Sequence, residues 1–75
     1  MNSTKTKKLL LAYLYAYGHE IKTTTEESID TIYEGKAWSF STVRDSDRIY
    51  VEYLDGALNF YKSGKLLTRT VLVSE

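Results

Sequence analysis

The residues that could carry chemistry in this chain of 75 residues are few, and they exclude most catalytic mechanisms. The chain has one histidine, His19, and no cysteine, so it has no Cys–His pair, no thiolate metal site and no disulfide. His19 follows the predicted end of a helix, where a lone histidine is expected to lie at the surface. No Gly-x-Ser-x-Gly motif occurs. We therefore predict that the protein is not an enzyme, with no catalytic residue and no cofactor.

Two pairs of carboxylates are explained without a metal ion. Asp45 and Asp47 lie in a polar segment that lacks the glycine and the distal glutamate of a calcium loop. Aspartate is common in turns, because its side chain bonds the nearby backbone. Glu26 and Glu27 suit the first turn of a helix. The sequence therefore predicts no metal site.

The net charge and the aromatic content of the chain indicate which kind of macromolecule it could bind. Ten Lys and Arg balance ten Asp and Glu, so the chain lacks both the basicity typical of nucleic-acid binders and the acidity of a DNA mimic. Seven tyrosines are present. Because tyrosine combines a large apolar body with a polar tip, it is enriched in protein interfaces.

The longest apolar run predicts a first helix over residues 4–17. At helical spacing one arc of this helix is apolar and should face the core, and Gly18 follows as the helix stop. The core arc comprises Leu9, Leu10, Tyr13, Leu14 and Tyr17. Leu11 and Tyr15 form a second apolar strip, which needs either another helix or another chain to cover it.

A second helix is predicted over residues 24–34. Thr24 and Glu27 have the spacing of a capping box, and Gly35 supplies a stop. The apolar positions at helical spacing are Ile29, Ile32 and Tyr33. This helix is the natural cover for the second strip of the first one.

The remainder of the chain changes to a period of two, which predicts strands over 37–43, 48–54, 57–61 and 65–73. Asp55-Gly56 predicts a two-residue hairpin of type I′. That turn places Val51 opposite Phe60, and a four-residue turn over 44–47 would place Phe40 opposite Val51. The same registers pair Tyr53 with Leu58, Glu52 with Asn59, and Trp38 with Tyr53.

These registers divide the strands into two faces. The predicted core face carries Trp38, Phe40, Ile49, Val51, Tyr53, Leu58 and Phe60. The opposite face carries Ser39, Ser41, Tyr50, Glu52, Leu54, Asn59 and Tyr61. In the last strand, a two-residue turn points Leu67, Arg69, Val71 and Val73 inward, and a three-residue turn points Leu66, Thr68, Thr70 and Leu72 inward. We favour the second, because it keeps the Arg69 charge out of the core.

Together these elements predict one α+β domain over residues 1–75. Two N-terminal helices pack on one face of a four-stranded antiparallel meander sheet, and the other face of the sheet stays open.

Surplus apolar and tyrosine surface without a catalytic set favours a non-enzymatic protein-binding module. The expected partner-binding residues are Leu11, Tyr15, Arg48, Tyr50, Tyr61 and Arg69. The partner is another protein, and a homodimer is one form of it. Small cysteine-free chains of this style suggest a phage or mobile-element accessory protein that inhibits a host enzyme or defence complex by occupying a surface.

The alternative is a small regulator that binds RNA or single-stranded nucleic acid. Tyr50 and Tyr61 on the open face would stack bases, with Arg48 and Arg69 among the nearby cations. Duplex readout is disfavoured, because the helix that would enter a groove is acidic.

Residues 5–17 have the basic and apolar regions of a signal peptide, but the tyrosines among them argue against cleavage. The apolar run is too short to span a bilayer. We therefore expect a cytoplasmic protein with no membrane partner.

Overall fold

A computed structural model describes residues 3–44 and 47–72 of the chain. Within these ranges it contains one helix and a six-stranded sheet whose strand order follows the chain. The elements are α1 (Ser3–Tyr17), β1 (Glu20–Thr24), β2 (Ser28–Tyr33), β3 (Lys36–Ser41), β4 (Ile49–Leu54), β5 (Ala57–Lys62) and β6 (Lys65–Val71). The general α+β class stands, but the prediction of two helices on a four-stranded antiparallel meander is wrong. No helix in the described ranges is long and apolar enough to cross a membrane.

Helix α1 follows the predicted span and buries most of the predicted arc. Leu10 and Leu14 are completely enclosed, while Leu9 and Tyr13 pack against the same core at partial exposure. Tyr17 differs from the prediction, because 58% of its surface is exposed at the last turn. The helix ends where the backbone N–H groups of the next two residues both donate to the Leu14 carbonyl.

The predicted second helix is instead a turn followed by strand β2. The Thr25 hydroxyl accepts hydrogen bonds from the backbone N–H groups of Glu27 and Ser28, at 3.3 and 3.1 Å, and so closes a tight turn between β1 and β2. Beyond the turn, Ile29 and Thr31 are buried on the same face of the strand. Ile29 and Thr31 therefore have the spacing of one face of a strand, and a threonine serves as a core residue here.

Replacing Thr31 by Ala distinguishes a strand from a helix at this position. Thr31 is 1% exposed, and its hydroxyl lies 2.7 Å from the His19 Nδ1 atom. We expect the free energy of unfolding to fall by about 1–2 kcal/mol, because a buried hydrogen bond is lost. Chemical denaturation measures this. In a helix, alanine would leave stability unchanged or raise it, so that result would contradict the strand.

Three of the connections are two-residue hairpin turns of one kind. Their central residues are Glu34-Gly35, Asp55-Gly56 and Ser63-Gly64, and all of them have positive φ. Positive φ at both centres is the property of type I′ turns, which match the twist of the strands they join. The Asp55-Gly56 prediction is confirmed, and Val51 pairs with Phe60 as expected.

The connection between β3 and β4 departs from the predicted hairpin. The two strands run parallel and pair only through Phe40 with Ile49 and Ser41 with Tyr50. The predicted pairings of Phe40 with Val51 and of Trp38 with Tyr53 are therefore wrong. The Thr42 N–H donates to the Glu27 carbonyl at 2.9 Å, so the chain continues beyond β3 before it returns to begin β4. The sheet consists of two three-stranded halves joined by a short seam.

The core lies between α1 and one face of this sheet, on the side that the sequence predicted. The predicted core-face residues all belong to the core cluster or pack against it. The turn that precedes β6 has two residues. A β-bulge in β6, opposite Phe60 and Tyr61, then places Thr68 and Thr70 opposite residues of the core face. Leu66 pairs with Tyr61 and so lies on the other face. Val73, one of the alternative inward positions, lies outside the described residues.

Candidate functional site

The face of the sheet opposite α1 is covered by no element among the described residues. We call its β4–β6 part the open face. Its cross-strand register gives three rows, and its members are Tyr50, Glu52, Leu54, Ala57, Asn59, Tyr61, Leu66, Arg69 and Val71. The alternation of side chains along each strand places all of them on one surface.

A tyrosine pair forms one end of the open face. The rings of Tyr50 and Tyr61 lie 5.8 Å apart, and the Arg44 guanidinium lies 4.8 Å from the Tyr50 ring centre. The Tyr61 hydroxyl donates to a Glu52 carboxylate oxygen at 3.2 Å. Desolvation, and then the negative charge of Glu52, raises the pKa of the Tyr61 phenol. This phenol therefore stays protonated and remains a hydrogen-bond donor.

The middle row of the open face is polar. Glu52 and Arg69 lie on the strands at either side of Asn59. Asn59 is only 6% exposed, and its amide oxygen has no hydrogen-bond partner among the described residues. A buried acceptor without a partner is costly, but this oxygen has almost no accessible surface and is closed to a molecule on the open face as the side chains lie.

Exposed aliphatic side chains lie at both ends of the open face. Leu54 and Val71 are 51% and 64% exposed in the last row, and Leu66 is 53% exposed beside the tyrosine pair. Apolar groups at both ends of a polar centre give a mixed surface, which is typical of protein interfaces.

The neighbouring half of the sheet continues this face with a polar chain. The Ser39 hydroxyl donates to the Asp30 carboxylate at 2.7 Å, and the Arg48 Nε–H donates to the same hydroxyl at 3.0 Å. Arg48 is thereby held at the seam, with a carboxylate close by.

The predicted partner-binding residues fall into two groups. Four of them, Tyr50, Tyr61, Arg48 and Arg69, lie on the uncovered side of the sheet. The other two lie on α1: Leu11 is half-buried against the core, and Tyr15 is 79% exposed. The structure therefore brings the sheet residues together and separates them from the helix pair. Of the acidic pair considered for a metal, Asp45 lies outside the described residues.

Sequence reasoning missed a second feature, which we call the aromatic cleft. It is a cavity of about 350 Å³ between the end of α1 and the sheet. Its walls are mainly rings, contributed by Tyr13, Tyr17, His19, Tyr33, Trp38, Phe40 and Phe60. The sequence shows many tyrosines. The pattern around Tyr33 predicts a helix instead of strand β2, so the sequence does not place these rings together.

His19 is part of this cleft rather than a free surface residue. Its ring stacks on Tyr33 with centroids 4.5 Å apart, and its Nδ1 atom forms the contact with the Thr31 hydroxyl. Burial lowers the pKa of His19 below its ordinary value of 6.5. The neutral imidazole is thus the form that the fold favours.

Stability should depend on pH through His19. Because its pKa is lower in the folded chain, the unfolded chain takes up the proton first as the pH falls through about 6.5. We expect this contribution to stability to be complete above that pH and to be lost below it. Chemical denaturation at pH 7.5 and 5.0 measures the effect. The His19→Gln variant should lose less stability than the wild type between the two values; an equal loss would contradict the assignment.

The described residues contain no cluster of three or more side chains that could hold a metal ion. Comparison with protein-family models, with curated proteins and with solved structures finds no match.

Proposed function

We propose that this chain is a small non-enzymatic module that binds another protein through the open face. The observation that carries the proposal is an uncovered sheet surface on which a tyrosine pair, an arginine and exposed aliphatic side chains surround a buried amide. The main core lies between α1 and the other face of the sheet, so the exposed side chains of the open face are not required to form it.

The composition of the open face suits a protein partner. Tyrosine and arginine are the residues that most often dominate binding energy at protein interfaces. Leu54, Leu66 and Val71 supply apolar area that a partner would remove from water.

The nucleic-acid alternative uses the same surface but fits its charges less well. Glu52 and Asp30 lie among the cations, and they engage Tyr61 and Ser39 directly. Phosphates would be repelled by both carboxylates. The Tyr50 and Tyr61 rings also contact each other, so a base would have to separate them before stacking.

A second copy of the chain is one partner that this surface would accept, since it carries both charges of an ion pair in Glu52 and Arg69. Inhibition of a host enzyme or defence complex in the manner of a phage accessory protein is the biological form that we propose for a foreign partner. Both forms require the same open face.

Affinity capture tests the proposal. The tagged full-length chain is incubated with nuclease-treated lysate of its native host, and captured proteins are quantified. Light scattering of the purified chain tests for the homodimer. We expect either a stoichiometric protein that survives nuclease or a dimer in solution.

Arg69→Glu and Lys8→Glu form a matched pair of charge reversals. Arg69 lies on the open face, and Lys8 is exposed on α1. The first should reduce recovery of the partner, and the second should not. A monomer that captures no protein, or recovery that vanishes with nuclease, would contradict the proposal.

A further inference from the structure

A gap in the sheet lies beside the first four residues of β3. Because β3 and β4 pair only at Phe40 and Ser41, the stretch 36–39 has no strand partner on its β4 side among residues 3–44 and 47–72. A second cavity of about 400 Å³ occupies this gap. It is a neighbour of the aromatic cleft, because Trp38, Ile49 and Leu67 line both cavities.

The two cavities differ in chemistry. The aromatic cleft is lined by rings and aliphatic side chains, and its lining contains no carboxylate, ammonium or guanidinium group. The described residues that line the second cavity include two lysines, Lys36 and Lys62, and one carboxylate, Asp47. The Lys36 ammonium lies 5.3 Å from the centre of the Trp38 ring, and the Lys62 ammonium donates to the Asp47 backbone carbonyl at 3.4 Å.

The Trp38 side chain lines both the aromatic cleft and the second cavity. Its indole N–H is buried and has no acceptor among the described residues. This nitrogen has almost no accessible surface, so a molecule in either cavity would contact the Trp38 ring and not its N–H.

We propose that the aromatic cleft and the neighbouring second cavity together bind a small aromatic carboxylate. The ring would lie against the rings of the aromatic cleft, and the carboxylate would face the ammonium groups of Lys36 and Lys62 beside the Trp38 ring. Apolar walls with a few converging polar groups are typical of small-molecule sites, and the aromatic cleft has the volume of such a site. The excess of lysine over aspartate at the second cavity selects an anion over a neutral or cationic ligand.

Nuclear magnetic resonance tests this directly, because Trp38 is the only tryptophan of the chain and gives one indole N–H signal. The ¹⁵N-labelled full-length protein is titrated with naphthalene-2-carboxylate and, separately, with naphthalene-2-carboxamide, which has the same size and no charge. We expect a saturable shift of the indole signal with a dissociation constant on the order of a millimolar for the carboxylate. The carboxamide should bind at least about threefold more weakly.

Charge-removing variants locate the anion. Lys36→Gln and Lys62→Gln should each weaken carboxylate binding by about two- to fivefold and leave carboxamide binding unchanged. Lys8→Gln, an exposed lysine on α1 outside both linings, is the matched control and should change neither. Equal affinity for the two probes, an unmoved indole signal, or equal weakening by Lys8→Gln would each overturn the proposal.

The site is independent of the open face. Tyr50→Ala should leave the titration unchanged, since Tyr50 lines neither cavity. Loss of partner capture in that variant with intact carboxylate binding would therefore separate the two functions.

Discussion

Leu10→Ala is expected to lower the free energy of unfolding by about 3 kcal/mol. Leu10 is completely buried at the centre of the contact between α1 and the sheet. The substitution removes apolar atoms from the core and leaves a cavity that a small domain can only partly close. A loss of this size is a large part of the stability of a domain of this length, so the melting temperature should fall by more than about 12 °C.

The control for this substitution lies on the same helix. Tyr15 is 79% exposed, so Tyr15→Ala should change the free energy of unfolding by less than about 0.5 kcal/mol. Thermal and urea denaturation of both variants tests which side of α1 contacts the sheet. Similar losses for the two would mean that the second apolar strip is buried as well, which contradicts the single-helix arrangement.

Gly56→Val should destabilise the chain by about 2 kcal/mol. Gly56 has φ +77° in the hairpin between β4 and β5, a conformation that is strained for any residue with a β-branched side chain. No atom lies within 4 Å of the place that a Cβ atom would occupy, so the cost comes from the backbone and not from a clash.

Gly56→Asn separates backbone strain from other effects of the substitution. Asparagine tolerates positive φ, so this variant should lose well under half of what Gly56→Val loses. Denaturation curves of the two variants measure the difference. Equal losses would show that the conformation at Gly56 is not the cause.

The helix α1 and the β4–β5 hairpin could be predicted because each carries a local signal that one structure explains. The helix with its apolar arc is followed directly by Gly18, a residue that often ends helices. The Asp55-Gly56 pair strongly favours a tight hairpin over other turns. The division of β4 and β5 into two faces follows from that hairpin, since its register fixes which side chains share a face, but the bulge opposite Phe60 and Tyr61 changes the register in β6. The β4 and β5 residues of the open face could therefore be predicted from the sequence, whereas Leu66 of β6 could not.

Strands β1 and β2 could not be predicted, because their signals fit two structures. Ile29, Ile32 and Tyr33 have helical spacing, but Ile29 and Thr31 have strand spacing as soon as threonine counts as a core residue. The sequence predicts that Gly35 ends a helix. In the structure, Glu34-Gly35 instead forms a turn of the same kind as Asp55-Gly56. Tertiary burial of Thr31, which no local pattern records, decides between the two.

The seam between the sheet halves depends on a contact that is distant in the sequence. A polar loop after β3 is compatible with a hairpin or with a return to a parallel strand. The hydrogen bond from Thr42 to Glu27 joins residues 15 positions apart and holds the chain to the parallel course. The gap beside β3, and with it the second cavity, follows from that contact and not from any motif.

We propose that the open face binds a protein partner. The most direct measurement compares capture of that partner by the wild type, by the double variant Tyr50→Ala/Tyr61→Ala, and by Tyr15→Ala, after circular dichroism shows all three to be folded. We predict that the double variant loses at least tenfold in recovery and that Tyr15→Ala recovers as much as the wild type. Full recovery by the double variant, with loss in Tyr15→Ala, would place the interface on the helix and contradict the claim.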